Sequence, residues 1–153
     1  AALIGKGTSA LSAPHHVDAR ARKLAAAVVE AAGDAIWVDE EAMLDAVTGV
    51  SGSGPAYVFY FIEALERAAR ELGFDVRDAR RLAYATFAGA VALAQASPEE
   101  PSTLRAQVTS KRGTTERAIA TLEAGAVGTK IVAAVKAAAQ RAKELGDEFG
   151  SDT

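Results

Sequence analysis

The sequence has 153 residues but no cysteine, only two histidines, one methionine and one tryptophan, and just 6% aromatic residues. Without cysteine there are no disulfides and no thiolate metal ligands. The histidines are neighbours, His15 and His16. On a helix such side chains point about 100° apart and do not chelate one ion together, so no metal is expected. A large excess of charge is also missing. The net charge of −3 and a pI near 5.4 argue against nucleic acid as the main partner. No long apolar span is present either. The uncharged run Leu82 to Pro98 is alanine-rich, carries Gly89, Gln95 and Ser97, and is too short and mild to cross a bilayer. The N-terminus lacks the basic start and apolar segment of a signal peptide. No membrane partner is expected, and the cytoplasm is the expected location. There is no Ser/His/acid set, and no carboxylate pair whose spacing demands acid–base work.

Half of the residues are hydrophobic, mainly alanine, valine and leucine. Small side chains let helices approach closely but bury little area each. The length suits one domain, or a small domain with part of another. A chain of this kind gains core by pairing with a second copy.

The segment Ala1 to Leu11 reads as extended chain broken by glycines, more like the middle of a protein than its start. Pro14 to Asp18 opens a helix. Its apolar stripe is Val17, Ala21, Leu24, Val28 and Ala31, with Asp18, Arg20, Arg22 and Lys23 outward. Gly33 stops it, and Ala35–Val38 is a short β-type run. Strand, helix and strand in this order form a βαβ remnant of a larger sheet. Asp39-Glu40-Glu41 starts the next helix with acids at its positive end. The segment Gly49 to Pro55 follows, where three glycines allow a sharp reversal or a close backbone contact. It lacks the spacing and lysine of a P-loop.

The helix from Pro55 to Leu72 is apolar on all sides from Ala56 to Ile62, which predicts burial all round. Beyond Glu63 it is amphipathic, with Glu63/Arg67, Glu66/Arg70 and Arg67/Glu71 one turn apart on an exposed face. Asp75 caps a further helix whose part from Leu82 to Ala96 has no charge, so a second subunit is its expected cover. The Ser97–Pro101 segment breaks the chain. Short helices follow over about Ser102–Val108 and Thr115–Ala124. The last helix runs from about Val127 to Leu145 and ends at Gly146.

Two polar clusters stand in these apolar surroundings: Thr48 with Ser51–Gly54, and the loop Val108-Thr109-Ser110-Lys111-Arg112-Gly113-Thr114-Thr115-Glu116. The loop runs into a helix start, where backbone N–H groups are unpaired and the macrodipole is positive. Gly113 permits close backbone approach, Thr114 and Thr115 bring hydroxyls, and Lys111 and Arg112 bring charge. A small carboxylate or phosphate suits such a site. The same features also describe an ordinary helix cap with a solvated basic loop.

Taken together, Asp45-Ala46-Val47-Thr48-Gly49-Val50-Ser51-Gly52-Ser53-Gly54-Pro55-Ala56-Tyr57-Val58-Phe59 and Val108-Thr109-Ser110-x-x-Gly113-Thr114-Thr115 resemble the signature of pyrroline-5-carboxylate reductases. Arg141-Ala142-Lys143-Glu144-Leu145-Gly146, the Ala2–Gly5 start and Trp37-Val38-Asp39-Glu40 are similar to that family as well. The resemblance covers nearly the whole chain. It implies a mainly α fold, with a helical 6-phosphogluconate-dehydrogenase-like dimerisation domain preceded by a βαβ remnant of a Rossmann domain. Residues 1–39 would be that remnant, 40–146 the helical dimerisation and substrate-binding domain, and 147–153 a flexible tail. The chain would then be a fragment, inactive alone, of an enzyme that reduces 1-pyrroline-5-carboxylate to L-proline with NADPH or NADH. The cofactor's Gly-rich fingerprint is not in the sequence. Thr48 would face the ring nitrogen, and Thr48 and Thr115 would hydrogen-bond the reacting substrate. Ser110, Gly113, Thr114 and Thr115 would bind it, with backbone N–H groups of the last three on its carboxylate. A homodimer is implied, with a larger oligomer of dimers left open. The loop departs from the family where Lys111-Arg112 replaces a pair ending in glycine, and a positive φ at residue 112 would strain arginine. The alternative reading is a non-catalytic homodimerisation module of the same fold.

Overall fold

The structure is a computed structural model that describes residues 2–150. Backbone contacts divide the chain into two compact units, Ala1–Pro55 with Ile131–Thr153, and Ala56–Lys130.

In the first unit a 3-10 turn at Ala2–Ile4 precedes strand β1 (Gly7–Leu11), helix α1 (Ala19–Glu30) and strand β2 (Gly33–Trp37). The strands are parallel, in register from Gly7 opposite Gly33 to Leu11 opposite Trp37, so the expected βαβ unit is there. Gly33 begins β2 because nothing larger fits. Its φ is +143°, and a Cβ there would lie 2.0 Å from the Gly7 carbonyl oxygen. Asp18 caps α1, accepting the Ala21 N–H at 2.7 Å.

Two expectations for α1 are corrected. Its Ala21/Leu24/Val28 stripe is not the covered face: Leu24 and Val28 are each 67% exposed, whereas Ala25, Ala26 and Val29 are half-buried. The helix is apolar around most of its circumference, so periodicity alone does not choose a side. Arg22 does not point to solvent. Its guanidinium donates to the carbonyl oxygens of Ala13 at 3.0 Å, Pro14 at 3.4 Å and Val17 at 3.4 Å, and lies 5.0 Å from the centre of the Trp37 ring.

Helix α2 (Met43–Val47) begins later than the acids at 39–41 predict. Those residues form a turn, with the Glu40 and Glu41 carbonyls accepting the Met43 and Leu44 N–H groups. It continues directly into a π-helical turn, Thr48–Gly52, so the chain does not reverse here, and of the three glycines Gly49 makes a close contact. Helix α7 (Val127–Gly150) enters this unit at Ile131. Gly146 does not end it: Arg141 bridges Glu144 at 3.3 Å before that glycine and Glu148 at 2.8 Å across it. Of the segment expected to be a tail, residues 147–150 are helical, and 151–153 lie outside the described residues.

The second unit holds most of helix α3 (Gly54–Glu71), then α4 (Val76–Ala96), α5 (Pro101–Gln107), α6 (Thr114–Ala124) and the first residues of α7. Gly73, at φ +103°, closes α3: its N–H goes to the Arg70 carbonyl and that of Phe74 to Ala69. Asp75 caps α4 through the Asp78 N–H at 2.8 Å. Glu66 pairs with Arg80 of α4 at 3.1 Å, not with Arg70 one turn along its own helix.

Among the described residues the buried apolar side chains are Ala79 and Ala83. The expectation that Ala56–Ile62 is buried all round therefore fails within one chain: Phe59 is 61% and Tyr60 71% exposed. On α4, Leu82, Tyr84, Val91 and Leu93 are exposed too. No single helix among the described residues is long and apolar enough to cross a membrane.

Candidate functional site

Thr48 opens the π-helical turn. Its hydroxyl donates to the Leu44 carbonyl at 2.9 Å, and its own carbonyl accepts the Ser53 N–H at 2.8 Å. The first bond commits the hydroxyl proton to the helix. The exposed side chain therefore presents oxygen lone pairs outward. Beside it, Gly49 is buried against α7. A Cβ on Gly49 would come within 2.9 Å of the Ala139 Cβ, the Ala139 nitrogen and the Val135 carbonyl oxygen. A one-turn π-bulge recurs at functional sites because it re-aims a side chain inside a continuous helix.

The second cluster lies in the other unit. After α5, the Thr109 hydroxyl donates to the Arg105 carbonyl at 2.6 Å. The chain then turns over Ser110–Gly113, closed by the Gly113 N–H on the Ser110 carbonyl at 2.9 Å. Arg112 is left-handed, with φ +61°, and Lys111 is not. A left-handed third position is the mark of a type II turn, usually met by glycine. Arginine at residue 112 thus stands in a conformation that costs about 1–2 kcal/mol. Gly113 meets Ser110 so closely that a Cβ would lie 2.3 Å from the Ser110 Oγ and 2.9 Å from its carbonyl oxygen.

Gly113 is also the N-cap of α6, extended at φ −86° and ψ 172°, with no side chain to satisfy the helix start. The N–H groups of Thr114, Thr115 and Glu116 meet no acceptor among the described residues. At a positive helix end these three N–H groups offer hydrogen bonds to an acceptor outside the helix. Thr115 is half-covered there, and Ser110 and Thr114 are exposed.

The turn thus brings together Ser110, Gly113, Thr114 and Thr115, while Thr48 belongs to the first unit. The Gly113 N–H is already taken by Ser110, and the third open donor is that of Glu116. The Glu116 side chain escaped the sequence reading. Its Oε2 accepts the Arg112 N–H at 2.6 Å. An acid three residues into a helix, as in a capping box, is the signal that points to it.

The shifted pKa values lie at neither cluster. The hydrogen bond that Arg80 donates to Glu66 raises the Arg80 pKa, and those that Arg141 donates to Glu148 and Glu144 raise the Arg141 pKa. Glu144 is lowered by Gln140 and then Arg141. The Arg141 pairs are exposed on both partners and contribute little to stability, whereas Glu66 is half-buried in its pair with Arg80. An open cleft of about 620 Å³ is lined by Arg67, Arg70, Glu71, Phe74, Asp75 and Val76, and touches neither cluster.

The β1–α1 connection does not fit a dinucleotide. This connection, Ser12 to Asp18, has no glycine. Three of its carbonyls are turned onto Arg22, and the Asp18 carboxylate occupies the start of α1 where a pyrophosphate would need the N–H groups.

The sequence profile described as pyrroline-5-carboxylate reductase dimerisation matches residues 41–145. A pyrroline-5-carboxylate reductase of Pseudomonas aeruginosa is 42% identical over 149 residues, which are 97% of this chain and 55% of that protein. The solved structure of a pyrroline-5-carboxylate reductase from Coxiella burnetii superimposes with a TM-score of 0.87 at 39% identity, covering 93% of this chain and 53% of that one. That of a Plasmodium falciparum pyrroline carboxylate reductase with NADP bound gives 0.87 at 27% identity, covering 94% and 55%. The chain spans about half the length of the curated relatives it matches.

Proposed function

The chain belongs to the pyrroline-5-carboxylate reductase family, and from that premise we propose that it is the dimerisation and imino-acid-binding part of an enzyme that reduces 1-pyrroline-5-carboxylate to L-proline, the last step of proline biosynthesis. The observation that carries the reading is the family match across 41–145, which contains both polar clusters. The parent enzyme takes its hydride from NADPH or NADH, a reading supported by the NADP-bound relative. Since the β1–α1 connection offers no dinucleotide cradle, no step of hydride delivery is derived from it. The cytoplasm is the proposed setting.

In this reading the substrate carboxylate sits at the start of α6. The N–H groups of Thr114, Thr115 and Glu116 and the Thr115 hydroxyl hold it. Ser110 and Gly113 shape the turn. Reduction of a C=N carbon needs a positive iminium, or a proton delivered to nitrogen as the hydride arrives. The Thr48 hydroxyl proton is given to Leu44, so Thr48 accepts the N–H of the protonated ring and orients it. Water supplies the proton. The chain's contribution is orientation and charge complementarity.

Thr115→Ala in the parent enzyme tests the carboxylate site. Losing a hydrogen bond to a charged group, worth about 1.5–3 kcal/mol, raises KM for the imino acid about tenfold or more and leaves kcat little changed. An unchanged KM removes Thr115 from the site.

A homodimer, alone or within a larger oligomer of dimers, supplies the core that one chain lacks, since the α3 and α4 side chains named above have no cover of their own. Sedimentation at micromolar concentration is expected to give twice the chain mass or a multiple of it, and a monomeric mass would count against this. Those faces alone would also serve a non-catalytic homodimerisation module. Imino-acid-dependent NADPH oxidation by the parent enzyme separates the two readings.

A further inference from the structure

We infer that Glu116 is a positioning residue for the substrate carboxylate, latching the Ser110–Gly113 turn in its left-handed form; this rests on the imino-acid reading of the turn. A type II turn differs from the commoner type I by a flip of its central peptide, here Lys111–Arg112. With a side chain at residue 112, the flip to type I relieves the φ of +61°. The N–H of that peptide belongs to Arg112, and it is this N–H that Glu116 Oε2 accepts at 2.6 Å. A bond to an ionised carboxylate is among the stronger hydrogen bonds. The flip would turn the N–H away and break it. Glu116 thus stabilises the conformer that arginine disfavours.

The position of Glu116 ties this latch to the ligand site. It is the third residue of α6, and its own N–H is one of the three open donors. A carboxylate at a helix start would otherwise fold onto those donors and compete with the substrate. Bound to the Arg112 N–H, it leaves them open. Glycine at residue 112 would need no latch, because the left-handed conformer costs it nothing. Arginine at this position and the acid at 116 therefore form a coupled pair.

The test is a double-mutant cycle in the parent enzyme, read in KM and kcat for the imino acid. Glu116→Ala is expected to raise KM about tenfold with kcat within about twofold, and the increase should shrink to about twofold or less in an Arg112→Gly background, since the two residues share one contact. Glu116→Gln keeps the acceptor oxygen and is expected to restore most of the lost affinity. An equal penalty in both backgrounds, or a Gln variant as poor as the Ala variant, overturns the proposal. Thr115→Ala is measured alongside. If it raises KM and Glu116→Ala does not, the latch fails while the carboxylate site stands. If neither moves KM, both fail. Should Glu116→Ala not fold alone, recovery of folding and KM by Arg112→Gly in the same chain supports the latch, and no recovery overturns it.

Discussion

Gly113→Ala in the parent enzyme is expected to lower kcat/KM for the imino acid about 10²-fold, the loss that a misplacement of roughly 1 Å produces, and to do so mainly through KM. Backbone strain is not the cause, because φ at Gly113 is −86° and suits alanine. The cause is space. An added Cβ would lie 2.3 Å from the Ser110 hydroxyl oxygen and 2.9 Å from the Ser110 carbonyl oxygen. The hydroxyl can rotate away. The carbonyl cannot, because it accepts the Gly113 N–H at 2.9 Å and closes the turn. The turn must open, and the donors of Thr114 and Thr115 that follow it must shift. Ser110→Ala in the same chain removes only the hydroxyl conflict and should recover only part of the loss. Circular dichroism should show unchanged helix content. A kcat/KM within twofold of the wild type would mean that the turn does not position the substrate.

The polar turn could be read from the sequence because its chemistry is local. Within a few residues it closes a hydrogen bond, starts a helix and leaves donors open, and the residue types needed are consecutive. The βαβ unit was legible for a similar reason, since Asp18 caps its own helix. What depended on distant contacts was not legible. Arg22 looked solvated by its helical phase, yet carbonyls at Ala13, Pro14 and Val17 and the Trp37 ring capture it. Glu66 had a partner one turn away by spacing, but packing of α4 beside α3 offered Arg80. Gly146 read as a helix end, but an interior glycine costs only about 1 kcal/mol, and the Arg141–Glu148 bridge spans it. The burial expected for the apolar faces of α3 and α4 is not met within one chain.

At the Thr48 turn a distant contact decides between the reversal and the close approach that the glycines allow, and that contact carries the second large expected effect. Gly49→Ala should destabilise the protein by about 1–3 kcal/mol, the usual range for overpacking, and lower kcat in the parent enzyme more than it raises KM. The Cβ would lie 2.9 Å from each of three atoms of α7, and two of these, the Ala139 nitrogen and the Val135 carbonyl oxygen, are backbone. No rotamer change relieves a backbone conflict, so the π-helical turn must move off α7. Ala139→Gly deletes only the Cβ conflict and should restore stability in part. At about 2–4 °C per kcal/mol for a chain of this size, the loss is readable as a fall in Tm of several degrees. The kinetic signature follows from which atom moves. Thr48 adjoins Gly49 and is proposed to hold the ring nitrogen, where charge changes as the C=N bond is reduced. Displacing it turns the C=N bond out of line for the incoming hydride, and a loss of orientation appears in kcat. Displacing the Ser110–Gly113 turn weakens a carboxylate contact that is present throughout, and such losses appear in KM. Gly49→Ala and Gly113→Ala should therefore separate along these two parameters. If both glycines altered KM alone, Thr48 would be a second binding contact and not a residue that orients the reacting nitrogen.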